Sequence, residues 1–139
     1  MGTIALTAVP AFQDTLEGYE ADRAAAETAV LLRYARSLSL MGTPHEVMFD
    51  AAAGTAAVVK TSDGTPAPDP LRKTRDAVLA FGRGGLGRTR LDSADFGGSS
   101  RVSFDTRGSA SAGGKAVLRT GSEVHEVWVS AVGGRVWVQ

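Results

Sequence analysis

One helix-forming segment is too long for the rest of this chain to cover. Between Phe12 and Met41 there is no proline and a single glycine, Gly18, and the composition is typical of good helix formers. A helix that is continuous from Thr3 to Met41 would be about 58 Å long at 1.5 Å per residue. The chain has only 139 residues. We therefore expect one end of the helix to project beyond the body on which it packs, and to contact a partner.

Apolar residues recur along this segment at spacings of three and four, which predicts one packing face on a helix. Gly42, Thr43 and Pro44 then predict its end. The predicted stripe contains Val9, Phe12, Leu16, Tyr19, Ala26, Val30, Tyr34, Leu38 and Met41.

The stretch from Ile4 to Phe12 is uncharged and mostly apolar. As nine helical residues it would span about 13 Å, well short of the roughly 30 Å of a bilayer core. It also lacks the basic residues that precede the apolar core of a secretory signal. The pattern leaves two interpretations open: the end of a longer apolar helix, or a buried helical turn.

After Gly42 the sequence changes to short runs rich in alternating or β-branched residues, separated by glycine, aspartate, serine and proline, which predicts strands. The fold class expected is α+β, with the long helix packed on an antiparallel sheet or sandwich. We expect one structural domain, divided into a helix over residues 1–41 and a β-rich head over residues 42–139. The predicted strands are His45–Asp50, Thr55–Lys60, Arg75–Phe81, Arg88–Asp92, Arg101–Asp105, Lys115–Thr120, Glu123–Ala131 and Arg135–Gln139.

The last three strands are predicted to form a meander, because Gly121-Ser122 and Gly133-Gly134 are hairpin signals between them. Val124, Val127 and Val129 share one face only if the register shifts near Glu126. The loops are predicted at residues 61–72, 82–87 and 108–114.

The residue inventory excludes several classes of chemistry. There is no cysteine, hence no disulfide, thiolate nucleophile or cysteine-bound metal, and 15 basic residues balance 15 acidic ones. The glycines of Gly82–Gly87 lack the following helix that a phosphate loop requires, so a hairpin connection is favoured. His45 and His125 have no ligand set around them in the sequence. We expect no cofactor, no metal ion and no catalytic residues.

A cluster of six basic residues between positions 72 and 90 is a candidate contact for an anion or DNA. Phe81 is the only aromatic residue in that stretch, which favours a solvated surface or an acidic partner over nucleic acid. The cluster contains Arg72, Lys73, Arg75, Arg83, Arg88 and Arg90.

Two further interpretations come from single residues. Trp128 and Trp137 on the terminal strands fit a small ligand-binding β-domain, with a carbohydrate or peptide on the indoles, although such residues more often lie in a core or interface. His125 lies between Glu123 and Glu126 and could form a histidine–carboxylate pair of a hydrolase, an interpretation that we rank last.

Several segments, in this order, resemble the H-type minor pseudopilins of type II secretion and the related minor pilins of type IV pili. AVPAFQD at residues 8–14 resembles the point where their apolar helix meets a proline. ARSLSLMGTPHEVMFD at residues 35–50 resembles their helix end and first strand. SADFGGSSRVSFDTRGSASAGG at residues 93–114 and VSAVGGRVWV at residues 129–138 resemble a later turn and the closing hairpin.

The chain departs from this pattern at its beginning. Members of that family carry a basic leader, a cleavage site and about twenty apolar residues before the proline, of which only residues 2–9 have a counterpart here. The resemblance therefore predicts an N-terminally truncated sequence, and no residue is assigned to cleavage or N-methylation. Residues 3–12 would be the remnant of the apolar anchor and residues 13–41 the amphipathic part.

The resemblance implies a non-enzymatic subunit of a periplasmic type II secretion pseudopilus, at its tip or in assembly initiation, or else a type IV minor pilin with DNA binding as a variant. Other pseudopilin or pilin subunits would be its partners, and the full-length protein would lie in the bacterial inner membrane before assembly. No small-molecule substrate and no calcium site are implied. The expected assembly residues are Ile4, Ala5, Leu6, Ala8, Val9, Pro10, Phe12 and Leu16, and Val30, Leu31, Tyr34, Leu38 and Met41 would hold the helix on the head.

Overall fold

A computed structural model describes the backbone of residues 2–139 and the side chains of residues 15–139. One helix, α1 (Gly2–Leu40), precedes eight strands, which confirms the predicted α+β class. Its 39 residues correspond to about 58 Å. The strands are β1 (His45–Asp50), β2 (Thr55–Lys60), β3 (Val78–Ala80), β4 (Thr89–Phe96), β5 (Arg101–Phe104), β6 (Gly114–Thr120), β7 (Glu123–Val129) and β8 (Val136–Val138).

The strands form two antiparallel sheets of four. The first has the order β3-β2-β1-β5 and the second the order β4-β6-β7-β8. The predicted meander of β6, β7 and β8 is confirmed. The sheets adjoin where β4 turns into β5, at a bridge between Phe96 and Ser99, and the rings of Phe49 and Phe96 stack there at 5.6 Å.

Two details of the strands correct the sequence interpretation. β3 and β4 belong to different sheets, so the glycine-rich segment between them is not a hairpin. It is a crossover that contains a short 3₁₀ turn at Gly84–Leu86. β7 pairs with β6 without the register shift that the sequence suggested near Glu126. Val124 therefore points away from the core and is 44% exposed. His125, and not Val124, lies on the inward face with Val127 and Val129.

Small residues line the face of α1 that packs on both sheets. The fully buried positions recur every three or four residues, as the helical period requires, but they differ from the predicted stripe. Val30 is 58% exposed and Met41 is 83% exposed, so neither holds the helix on the head. The buried positions are Ala21, Ala24, Ala25, Thr28, Ala29, Leu32, Ala35 and Ser39.

The core lies between this helix face and the inner faces of the two sheets. Val47, Val58 and Phe104 come from the first sheet, and Leu118 and Val127 from the second. Among the residues that the structure describes, no helix has the length and hydropathy needed to cross a membrane.

Candidate assembly interface

The rim of the head reaches the helix at Glu20, the residue next to Ala21, which is the first buried position among the described side chains. The carboxylate of Glu20 accepts hydrogen bonds from the Arg88 N–H at 2.9 Å and from the Thr89 hydroxyl at 2.7 Å. Thr89 in turn lies 2.7 Å from the hydroxyl of Thr120, and both threonines are buried. Glu20 therefore ties the helix to β4 through a buried polar pair.

Apolar side chains remain exposed on α1 in the turn that precedes Glu20. Leu16 is 42% exposed and Tyr19 is 74% exposed. Together with Arg23 and Arg88 they border an open cavity of about 410 Å³. A neighbouring apolar surface that packed here would remove both side chains from water, which is the usual driving force for association.

Seven of the eight expected assembly residues have side chains that lie outside the described residues. The eighth, Leu16, is the exposed residue at the border of the cavity. The seven are Ile4, Ala5, Leu6, Ala8, Val9, Pro10 and Phe12.

The expected helix-to-head contacts divide into two groups. Leu31, Tyr34 and Leu38 are half-buried against the core, whereas Val30 and Met41 are exposed, as described above. The Tyr34 hydroxyl donates a hydrogen bond of 2.5 Å to the carbonyl of Pro68. Burial, and secondarily the nearby Asp69 carboxylate, raises the pKa of Tyr34 above its ordinary value.

Polar residues near the end of α1 fasten loops to the helix. The Arg36 guanidinium donates to the carbonyls of Gly108 and Gly133, both at 3.0 Å, and so joins two loops that are distant in the sequence. Arg33 donates to the carbonyl of Val136 at 2.9 Å. The buried Ser39 hydroxyl accepts from the His45 N–H at 2.9 Å and orients the start of β1. These roles cannot be predicted from the sequence, because periodicity assigns arginine to a solvated face.

The six basic residues from Arg72 to Arg90 do not form one patch. Arg72, Lys73 and Arg75 lie on the loop that contacts Tyr34, whereas the Arg88 backbone contacts Glu20. Tyr34 and Glu20 are separated by 14 residues of helix, or about 21 Å. Arg90 forms a salt bridge of 2.8 Å with Asp92, and Arg83 is exposed in the crossover. The charges are too dispersed for one compact anion site.

The two tryptophans stack on each other on the outer face of the second sheet. Trp128 and Trp137 are register partners, and their rings stack at 6.1 Å with an interplanar angle of 9°. Lys115 Nζ lies 5.0 Å from the Trp128 ring and the Arg135 guanidinium 5.8 Å from the Trp137 ring. With their faces taken up in this way, the indoles offer little surface on which a sugar ring could stack.

His125 meets a carboxylate on the helix and neither glutamate of its own strand. Its Nε2 lies 3.2 Å from Asp22 Oδ1, with the Asp22 side chain 78% exposed. This open pair lies against the helix and fits a helix-to-sheet contact. Within the described residues, no group of three or more histidine or acidic side chains is placed to hold a metal ion.

Comparison with known proteins gives a fold. No family model matches the sequence, and no curated protein matches it significantly. Among solved structures, the type IV minor pilin FimU of Pseudomonas aeruginosa PAO1 is similar with a TM-score of 0.61 and 18% identity, over 88% of this chain and 90% of FimU. The minor pseudopilin EpsH of the Vibrio cholerae type 2 secretion system is similar with a TM-score of 0.63 and 12% identity, over 86% of this chain and 96% of EpsH. The pilin-like fold that the sequence resemblance predicted is therefore confirmed.

Proposed function

We propose that this chain is a non-enzymatic structural subunit of a pilus-like filament, assembled through its N-terminal helix. One observation carries the proposal: α1 extends well beyond the rim at Glu20, and the first described side chains beyond that rim include the exposed Leu16 and Tyr19. In an isolated subunit these exposed apolar side chains contribute no burial energy. A neighbouring subunit that packed against them would gain about 25 cal/mol for each Å² of apolar area removed from water.

The fold supports the same role. Two proteins with similar structures are described as a minor pilin and a minor pseudopilin. We therefore propose other pilin-like subunits as the partners, contacted through residues 4–16. Before assembly this end of the protein would lie in the inner membrane, and the β-rich head would face the periplasm.

Within such a filament we propose a minor position, at the tip or in assembly initiation of a secretion pseudopilus. FimU and EpsH are both described as minor subunits, which supports this choice. A pilus is the alternative system, because one of the two belongs to type IV pili.

Site-specific crosslinking tests the proposal directly, since the sequence contains no cysteine that would compete. Leu16→Cys and Tyr19→Cys each place one thiol on the exposed helix surface. Thr106→Cys, in an exposed loop of the head, is the matched control. The variants are expressed in the host in place of the native copy and labelled with a short maleimide–diazirine reagent, whose photoactivated end inserts into whatever residue lies nearby. The adducts are identified by mass spectrometry after irradiation.

The expected result is adducts of the two helix variants with other pilin-like subunits, at yields several-fold above those of Thr106→Cys. Equal yields from all three positions, or helix adducts that contain no such subunit, would contradict the assembly role.

A further inference from the structure

A second apolar surface lies on the head, separate from Leu16 and Tyr19. It is a groove of about 350 Å³ between the outward face of α1 and strand β3, closed at one end by Pro70 and Leu71. Val30 and Val78 border it at 58% and 48% exposure, and Leu71 is 92% exposed. Three large aliphatic side chains therefore meet water around one concave site, which is typical of a binding surface.

The groove runs along an open strand edge. β3 is the outermost strand of its sheet. The Val58 N–H bonds to the Ala77 carbonyl, and the Phe81 N–H bonds to the Gly54 carbonyl. The backbone N–H and C=O groups of residues 77, 79 and 81 therefore point toward β2, and those of Val78 and Ala80 point toward the open edge. The Val78 N–H bonds back to Asp76. In the described part of the chain nothing bonds to the Val78 carbonyl or the Ala80 N–H.

Positive charge lies at the end of the groove where β3 begins. Arg72, Lys73 and Arg75 are exposed on the loop that leads into the strand and outnumber its two acidic residues, Asp69 and Asp76. None of the three basic residues forms an ion pair with a described residue. The loop's own Asp69 carboxylate accepts the N–H groups of residues 71 and 72 and is thus turned toward its backbone.

We propose that this groove binds an extended segment of another protein, which adds to β3 as an antiparallel strand. The open donor and acceptor of the edge favour a strand over a helix, because a helix satisfies its own backbone groups. Every strand pair in the sheet is antiparallel. The added segment would therefore place its C-terminal end beside the basic loop. The expected chemistry is alternate aliphatic residues, which enter the groove, followed by acidic residues.

A designed peptide tests both parts of this chemistry. The probe is a capped heptapeptide that alternates valine and threonine and ends in two glutamates. The control peptide has the same composition with the glutamates first. Binding to the ¹⁵N-labelled chain is followed by amide chemical shifts, and the new hydrogen bond by hydrogen exchange of the Ala80 amide. We expect saturable binding of the probe, slower Ala80 exchange, and at least tenfold weaker binding of the control peptide.

Val30→Asp should weaken binding of the probe at least tenfold, because it places a carboxylate inside the groove. Val132→Asp is the matched control, since Val132 is 86% exposed in the β7–β8 loop, and it should leave the affinity unchanged. Equal affinity of the two peptides, equal behaviour of the two variants, or binding without slower Ala80 exchange would each overturn the proposal. So would self-association of the unliganded chain that Val30→Asp removes, because a second copy would then be the occupant.

Discussion

Replacement of Leu32 tests which face of the helix carries the fold. Leu32 is fully buried against both sheets, and Leu32→Ala removes three carbon atoms at about 0.8 kcal/mol each. The cavity left behind adds on the order of 1 kcal/mol, since buried Leu→Ala changes cost about 2–5 kcal/mol in total. We expect the free energy of unfolding to fall by about 3.5 kcal/mol.

Val30→Ala is the matched comparison on the same helix. It removes two methyl groups from a residue that is 58% exposed, so the lost burial is worth about 0.7 kcal/mol. The higher helix propensity of alanine returns about 0.5 kcal/mol. The net change should lie within about 0.5 kcal/mol of zero.

Urea unfolding followed by tryptophan fluorescence measures both variants. With a slope near 2 kcal/mol/M, the midpoint should fall by about 1.5–2 M for Leu32→Ala and by less than about 0.3 M for Val30→Ala. Similar losses in the two variants, or the reverse order, would refute the assignment of the buried face.

Three further outcomes are expected. The pKa of the Asp92 carboxyl is held below its ordinary value, mainly by its hydrogen bond to Arg119. The stability that this carboxylate contributes is present at neutral pH and is lost as the pH falls below about 4. Asp92→Asn should therefore reduce the decrease in the urea midpoint between neutral and acid pH. Gly134→Ala should cost more than Gly133→Ala in thermal unfolding: both glycines have positive φ, but only at position 134 would a Cβ overlap a backbone carbonyl oxygen. The stacked indoles should give an exciton couplet in the far-ultraviolet circular dichroism, and Trp137→Phe should abolish it with little change in the melting temperature.

The sequence predicted the elements well because their signals are local. The run of helix formers from Phe12 to Met41 predicts most of α1, and Gly42, with φ 118°, ends the helix as expected. All eight predicted strands exist; β1 and β2 have the predicted bounds, and the other six have shifted ends. β3 keeps only Val78–Ala80 of its predicted residues, because Asp76 pairs with Pro68 and the Ala77 N–H bonds to the Ala67 carbonyl in place of β2.

Contacts between segments that are distant in the sequence cannot be predicted from a single sequence. The crossover after β3 resembles a hairpin connection until the two sheets are seen, because glycines allow either path. The Glu20–Thr89 bond joins residues 69 positions apart, and Arg36 reaches loops 72 and 97 positions away. Nothing in the local spacing of these residues distinguishes them from solvated charges.

The error over the helix face has a physical cause that also bears on function. Periodicity finds the bulkiest apolar stripe and assigns it to the core, but α1 lies against two sheets at once. A close approach on both sides favours alanine at Ala24, Ala25 and Ala29, which have almost no exposed surface. Bulky side chains such as Tyr19 and Val30 are thereby left outside. A helix that buries its small residues in its own head and exposes large ones presents apolar surface to solvent, and this is the surface that the proposed filament contacts would cover.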